Sequence, residues 1–213
     1  MSWLAKISID FQPVYRLRLS DNYAWHDAAW KVFPGRPREQ RQYLSRLDYK
    51  EREGIFELLL LSHIQPVCPE WCPQDGWQLT EVKPTFLNHR YYRFDLRANP
   101  TKKVAKFDIA GNKTKNGKRE ALLMPDDQCA WLERKAEGGG FRVLDSPALE
   151  IDPASLNPFQ ISKRNKEGVH FGVRFRGVLE VTDRECFEHS FYCGIGSAKA
   201  FGFGMLLIKP VII

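Results

Sequence analysis

No apolar run in the chain approaches the roughly 20 residues that span a bilayer. The opening MSWLAKISIDF has neither a charged n-region nor a cleavage site, so neither a membrane span nor a leader is expected, and the expected location is cytoplasmic. Cysteine is sparse: the five residues Cys68, Cys72, Cys129, Cys186 and Cys193 form no CxxC pair and are odd in number. That excludes a zinc ribbon and a disulfide framework and points to reduced thiols. Cys68 and Cys72 with His63 lack the second ligand pair that a structural zinc needs, so neither metal nor cofactor is expected. Disordered and collagen-like compositions are absent too, since 43% of residues are hydrophobic and 27% charged, as in a chain that folds around a core.

Acidic residues are also missing from one stretch. Between Arg97 and Arg119 the basic residues Arg97, Lys102, Lys103, Lys106, Lys113, Lys115, Lys118 and Arg119 face the single acid Asp108. This local surplus exceeds the formal +6 of the whole chain. Charge so concentrated suits a polyanionic partner better than a merely solvated loop.

Apolar alternation in LAKISIDF reads as a strand, and SDNYAWHDAAWKVFPG as a helix capped by Ser20 or Asp21 and stopped by Pro34-Gly35. GIFELLLLSH, WQLTEVKP and HRYYRFDLRANP read as strands, giving a β-α-β-β first half. Further on, PDDQCAWLERKAE reads as helical, FRVLDS and VRFRGVLEVT as strands, DRECFEHSFY as a helix and MLLIKPVII as a last strand. This order fits an α+β chain of two tandem ferredoxin-like (RRM-like) domains with antiparallel sheets, divided at residues 1–88 and 89–213.

On the first helix, about 100° per residue places Trp25, Ala28, Ala29 and Val32 on a core face and Tyr23, His26, Asp27 and Trp30 on the other side. An outward histidine between aromatic rings suits bases stacking on rings with imidazole near a phosphate. An unperturbed imidazole titrates near pH 6.5 and can exchange the proton of an attacking ribose 2′-hydroxyl. Tyr23 could orient an oxygen and Lys31 stabilise charge on phosphate. His63, His89, His170 and His189 lack a comparable face.

The segment GIGSAKAFGFG surrounds Ser197 and Lys199 with glycines. It is no Rossmann fingerprint, because Lys199 takes the third glycine position, and its spacing is not that of a P-loop. A lysine among the glycines favours a phosphate-contacting loop, with Ser197 and Lys199 binding RNA, over a plain flexible turn from helix to strand.

Together, Tyr23-Ala24-Trp25-His26 through Ala29-Trp30-Lys31-Val32-Phe33-Pro34-Gly35, Leu96-Arg97-Ala98-Asn99-Pro100, and GVLEVTD followed by GIGSAKAFGFGMLL resemble the CasE family. These are CRISPR RNA-processing endoribonucleases of type I-E systems, within the RAMP superfamily, and the resemblance covers essentially the whole chain. It implies two ferredoxin-like domains that hold the repeat hairpin of precursor CRISPR RNA and cut at its base without metal. His26 would be the general acid or base, Tyr23 its aid, and a 2′,3′-cyclic phosphate the product. It further implies that Lys102 to Arg119 grips the stem, that Lys163, Arg164 and Lys166 lie near the scissile bond, and that the glycine-rich loop supports RNA or domain packing. The processed RNA would stay bound, with the protein a subunit of the Cascade complex beside other subunits. The alternative is a RAMP-type RNA-binding protein without catalysis.

Overall fold

The computed structural model describes residues 1–35, 42–105, 111–112, 117–144, 150–153, 161–163, 166–168 and 171–212. Its first part is β1 (Trp3–Asp10), α1 (Phe11–Arg16), α2 (Asn22–Trp30), β2 (Tyr43–Lys50), β3 (Ile55–Ser62) and β4 (Trp77–Glu81). These strands form an antiparallel sheet ordered β2-β3-β1-β4.

The second part follows as β5 (Tyr91–Ala98), β6 (Thr101–Val104), β7 (Lys118–Ala121), α3 (Pro125–Glu137), β8 (Phe141–Val143), β9 (Glu150–Pro153), β10 (Ile161–Lys163), β11 (Lys166–Gly168), β12 (Val173–Val181), α4 (Arg184–Cys193) and β13 (Leu206–Pro210). Its main sheet runs β13-β5-β12-β8, with β9 also on β12. Both sheets thus put the first and third strands at the centre, which is the ferredoxin-like arrangement expected. In the second, β8 and β9 both pair antiparallel with β12, Val143 opposite Leu179 and Glu150 opposite Arg176.

One departure from the expected order has a physical cause. Tyr43–Lys50 is a strand although YLSRLDYK carries Arg46 and Asp48, because those charges meet charges on the other sheet rather than solvent. With β2 counted, the first sheet is complete at β4, and Tyr91–Ala98 is the first strand of the second sheet.

FELLLL in β3 shows no alternation because both faces of the strand are covered. Leu58 and Leu60 join Ala5, Ile7, Ile9 and the α2 residues Trp25, Ala28 and Ala29 in one core. Leu61, with Leu44 of β2, joins a second core with Leu96, Trp131, Phe175 and Phe187. The first sheet is therefore sandwiched between its own helices and the second half of the chain.

Charged residues complete that contact. Arg46, 1% exposed, sets its two terminal nitrogens 3.0 and 3.1 Å from the Asp95 carboxylate and its Nε 2.8 Å from Asp48. Arg174 donates to the same Asp95 at 2.6 Å, and Arg97 reaches Asp48 at 2.7 Å. Burial pushes the Asp95 carboxyl up, but hydrogen bonds from Arg174 and Arg46 outweigh it and hold it below the ordinary carboxylate range.

Candidate functional site

Asp21, extended at φ -146°, caps α2 by accepting from the Ala24 amide at 2.8 Å. The helix ends by Lys31, and Gly35 at φ 73° turns the chain away. Trp25, Ala28, Ala29 and Val32 are buried as the helical projection requires.

Trp30 is not on the outward face: it is 8% exposed. Its ring lies edge-on to Tyr43 at 5.3 Å, and Phe33 stacks on Tyr43 from the other side at 4.9 Å. The end of α2 descends onto β2, so its buried sector widens beyond the stripe that periodicity marks. Trp30 therefore backs His26, with the two rings edge to face at 6.1 Å, instead of offering a stacking surface.

His26 is half-buried, while Tyr23, one turn earlier, is exposed, as is Lys31 at the end of the helix. Beside them lies a cleft of about 290 Å³ whose walls include Leu17, Leu19, Tyr23, Asp27, Lys31 and Trp71. Tyr23, Asp27 and Lys31 lie one turn apart along α2 and form one side of it. Leu17 and Leu19, from the connection between α1 and α2, and Trp71 also line it, and of these Trp71 is brought there only by folding, from the loop after β3.

Two distant segments meet this helix. The 3-10 turn Lys199–Phe201 of the glycine-rich loop lies against α2 and β2, and β10 also comes within 8 Å of α2, Cα to Cα. Lys163 and Lys166 pair across the β10–β11 turn.

The glycine-rich loop is built by its own bonds. Ile195 N–H donates to the Gly204 carbonyl at 2.8 Å, and Gly204 N–H to the Arg97 carbonyl at 2.7 Å. Gly204 sits at φ +86°, where a Cβ would stand 2.6 Å from the Ile195 carbonyl oxygen. Ser197 donates to the Asn99 carbonyl at 3.3 Å and Lys199 to the Cys193 carbonyl at 2.7 Å. Gly204 thus serves close packing within the loop and onto β5, and both polar side chains already hold backbone.

Of the basic stretch, Lys102, Lys103 and Arg119 sit on the β6–β7 hairpin, exposed to solvent, and Lys118 is placed in β7 by its backbone. Lys103 stands directly opposite Arg119. Like charges across a ladder cost a few tenths of a kcal/mol to about 1 kcal/mol, a cost that an anion between them removes. Lys106, Lys113, Lys115 and Arg164 lie outside the described residues. Arg97 does not extend this patch: burial pushes its guanidinium below the ordinary range, it pairs ionically with Asp48 at 2.7 Å, and it donates to the Leu47 carbonyl at 2.6 Å. It belongs to the joint between the sheets.

Among the described residues no group of three His, Cys, Asp or Glu could hold a metal. His63 is hydrogen-bonded to the Ser2 hydroxyl at 2.8 Å. Burial, with Cys68 beside it, pushes the Cys72 thiol up to about 12. Among the described residues no helix is long and apolar enough to cross a membrane.

Comparison with known proteins covers nearly the whole chain. The CRISPR system Cascade subunit CasE of Escherichia coli is 31% identical over 90% of this chain and 93% of its own. The CRISPR-associated endoribonuclease Cse3 of Thermus thermophilus is 38% identical, and that match spans about half of each protein, 55% of both. Among solved structures, Thermus thermophilus Cse3 bound to an RNA representing a pre-cleavage complex matches with a TM-score of 0.70 and 29% identity, over 98% of this chain and 99% of that one. The model of a family described as CRISPR associated protein matches residues 2–210, and this chain belongs to that family.

Proposed function

We propose that this protein is a metal-independent endoribonuclease that binds the repeat hairpin of precursor CRISPR RNA, cuts at its base and retains the product as a Cascade subunit in the cytoplasm. The observation that carries this reading is the likeness, along 98% of the chain, to Cse3 held in a pre-cleavage RNA complex. Residues 1–88 supply the helix that cuts and residues 89–213 the basic hairpin that grips.

His26 moves the proton in attack of a ribose 2′-hydroxyl on the adjoining phosphorus. The P–O bond to the 5′-oxygen breaks, leaving a 2′,3′-cyclic phosphate and a 5′-hydroxyl. Trp30 backs the imidazole and limits its tilt, while Tyr23 holds the attacking or leaving oxygen. Lys31, exposed beside Tyr23, offsets charge building on the phosphoryl oxygens. The hairpin lysines and arginine hold phosphates of the stem, and Lys163 and Lys166 approach from the β10–β11 turn beside α2.

A hairpin RNA with a 2′-deoxy substitution at the cut site tests the reading. Binding without cleavage is expected. Cleavage of the substituted RNA at the same bond would refute 2′-hydroxyl attack. A RAMP-type protein that only binds RNA would cut neither substrate.

A further inference from the structure

The helix before the His26 helix exposes more aromatic surface than its core duty explains. Only Val14 of α1 is buried. Phe11 is 63% exposed and Tyr15 75%, and their rings stack one helical turn apart with centroids 6.5 Å apart and planes 22° from parallel. Arg16 and Arg18 follow immediately, both exposed, and Arg18 is held at φ 53°, a left-handed conformation that arginine adopts only under local constraint. The nearest carboxylates, Asp10 and Asp21, accept from the helix amides of Gln12 and Ala24. Leu17, 37% exposed, carries the surface from this ring pair into the cleft beside Tyr23 and Lys31. In the cleft wall, the Trp71 indole N–H is buried with no acceptor among the described residues.

We propose that this face is a binding track for unpaired RNA next to the cleaved bond: bases stack on Phe11 and Tyr15, Arg16 and Arg18 hold the intervening phosphates, and one unstacked base enters the cleft. The proposal rests on the nuclease reading of the His26 helix. Charge decides for RNA over a protein partner. Asp10 and Asp21 are engaged as helix caps, which leaves Arg16, Arg18 and Lys31 against Asp27 in the cleft, and stacked rings next to arginines match a sequence-tolerant single-strand surface. An apolar protein patch would need no guanidinium beside its rings. A hairpin gripped by the β6–β7 element must continue into single strand past its base, and that strand passes the helix where cutting occurs.

Binding of the full-length protein is measured for a repeat hairpin alone and for the same hairpin with three added unpaired nucleotides on either its 5′ or its 3′ side. Stacking contributes about 1–3 kcal/mol per base, so even one stacked base of a tail should tighten binding by roughly five- to 160-fold. F11A/Y15A changes two exposed side chains and should abolish that gain while leaving affinity for the bare hairpin unchanged. R16Q/R18Q should reduce the gain and its salt dependence. Either tail adding affinity that F11A/Y15A removes supports the track and identifies the strand. A tail gain untouched by both double variants overturns it, as does no tail gain at all. So does a variant that binds tailed RNA normally but fails to join other Cascade subunits, which would assign the rings to a protein contact. Failure of the wild type to bind even the bare hairpin is a different result, and strikes the nuclease reading itself.

Discussion

Replacing Arg46 by methionine keeps the aliphatic stem and removes the charge from the joint between the sheets. The side chain is 1% exposed and gives four hydrogen bonds: one to Asp48, two to the Asp95 carboxylate and one to the Asp95 carbonyl. Breaking a buried pair on one side costs about 3–5 kcal/mol, chiefly by stranding the partner charge. Here neither acid is stranded, since Asp95 keeps Arg174 and Asp48 keeps Arg97, which sets the expectation at the low end, about 3 kcal/mol. For a chain of this length each kcal/mol shifts Tm by about 2–4 °C, so R46M should melt about 6–12 °C below wild type.

Acid supplies the control. A carboxyl held below its ordinary range contributes stability that is fully present above its unfolded-state pKa of about 3.9 and is lost as pH falls through the folded value. Wild type therefore loses the Arg46–Asp95 contribution as pH falls below about 4, whereas R46M has none to lose, so the gap between the two should narrow. Denaturant unfolding of both proteins at neutral pH and near pH 3 measures it. Equal stability at neutral pH, or a gap that does not change with acid, would refute the role given to this network.

His26→Ala should remove cleavage of the repeat hairpin while leaving its affinity within a few-fold, read by single-turnover cleavage beside equilibrium binding; full activity would remove His26 from the mechanism. Neutralising Lys103 and Arg119 together should weaken RNA binding and lower the slope of log affinity against log salt by about 1.5 to 2, the value for two phosphates. Gly204→Ala should cost about 1–3 kcal/mol in unfolding because it combines left-handed backbone with a clash on the Ile195 carbonyl. Cleavage should persist in excess chelator, and its loss there would return attention to Cys68, Cys72 and His63.

Periodic apolar patterning and caps made α2, α3, α4 and the strands β1, β3, β5, β12 and β13 legible, because each buries a face that local spacing records. YLSRLDYK hid its strand, since Arg46 and Asp48 become interior only when Asp95 and Arg97 arrive from another sheet. The β6–β7 ladder was hidden for the same reason that its charge was obvious: lysines mask strand propensity.

By itself the sequence determined which helix carries the histidine, which face of that helix bears Trp25, Ala28, Ala29 and Val32, and where positive charge concentrates. These are properties of residues near one another along the chain. Only the tertiary structure decided that Trp30 turns inward against Tyr43, that Arg97 joins the sheets, that the glycine-rich loop and β10 come to α2, and that Leu17, Leu19 and Trp71 close a cleft beside Tyr23 and Lys31. Apart from Leu17 and Leu19, six and four residues before Tyr23, each depends on partners from about a dozen to well over a hundred residues away, so its energy exists only once the sheets have packed.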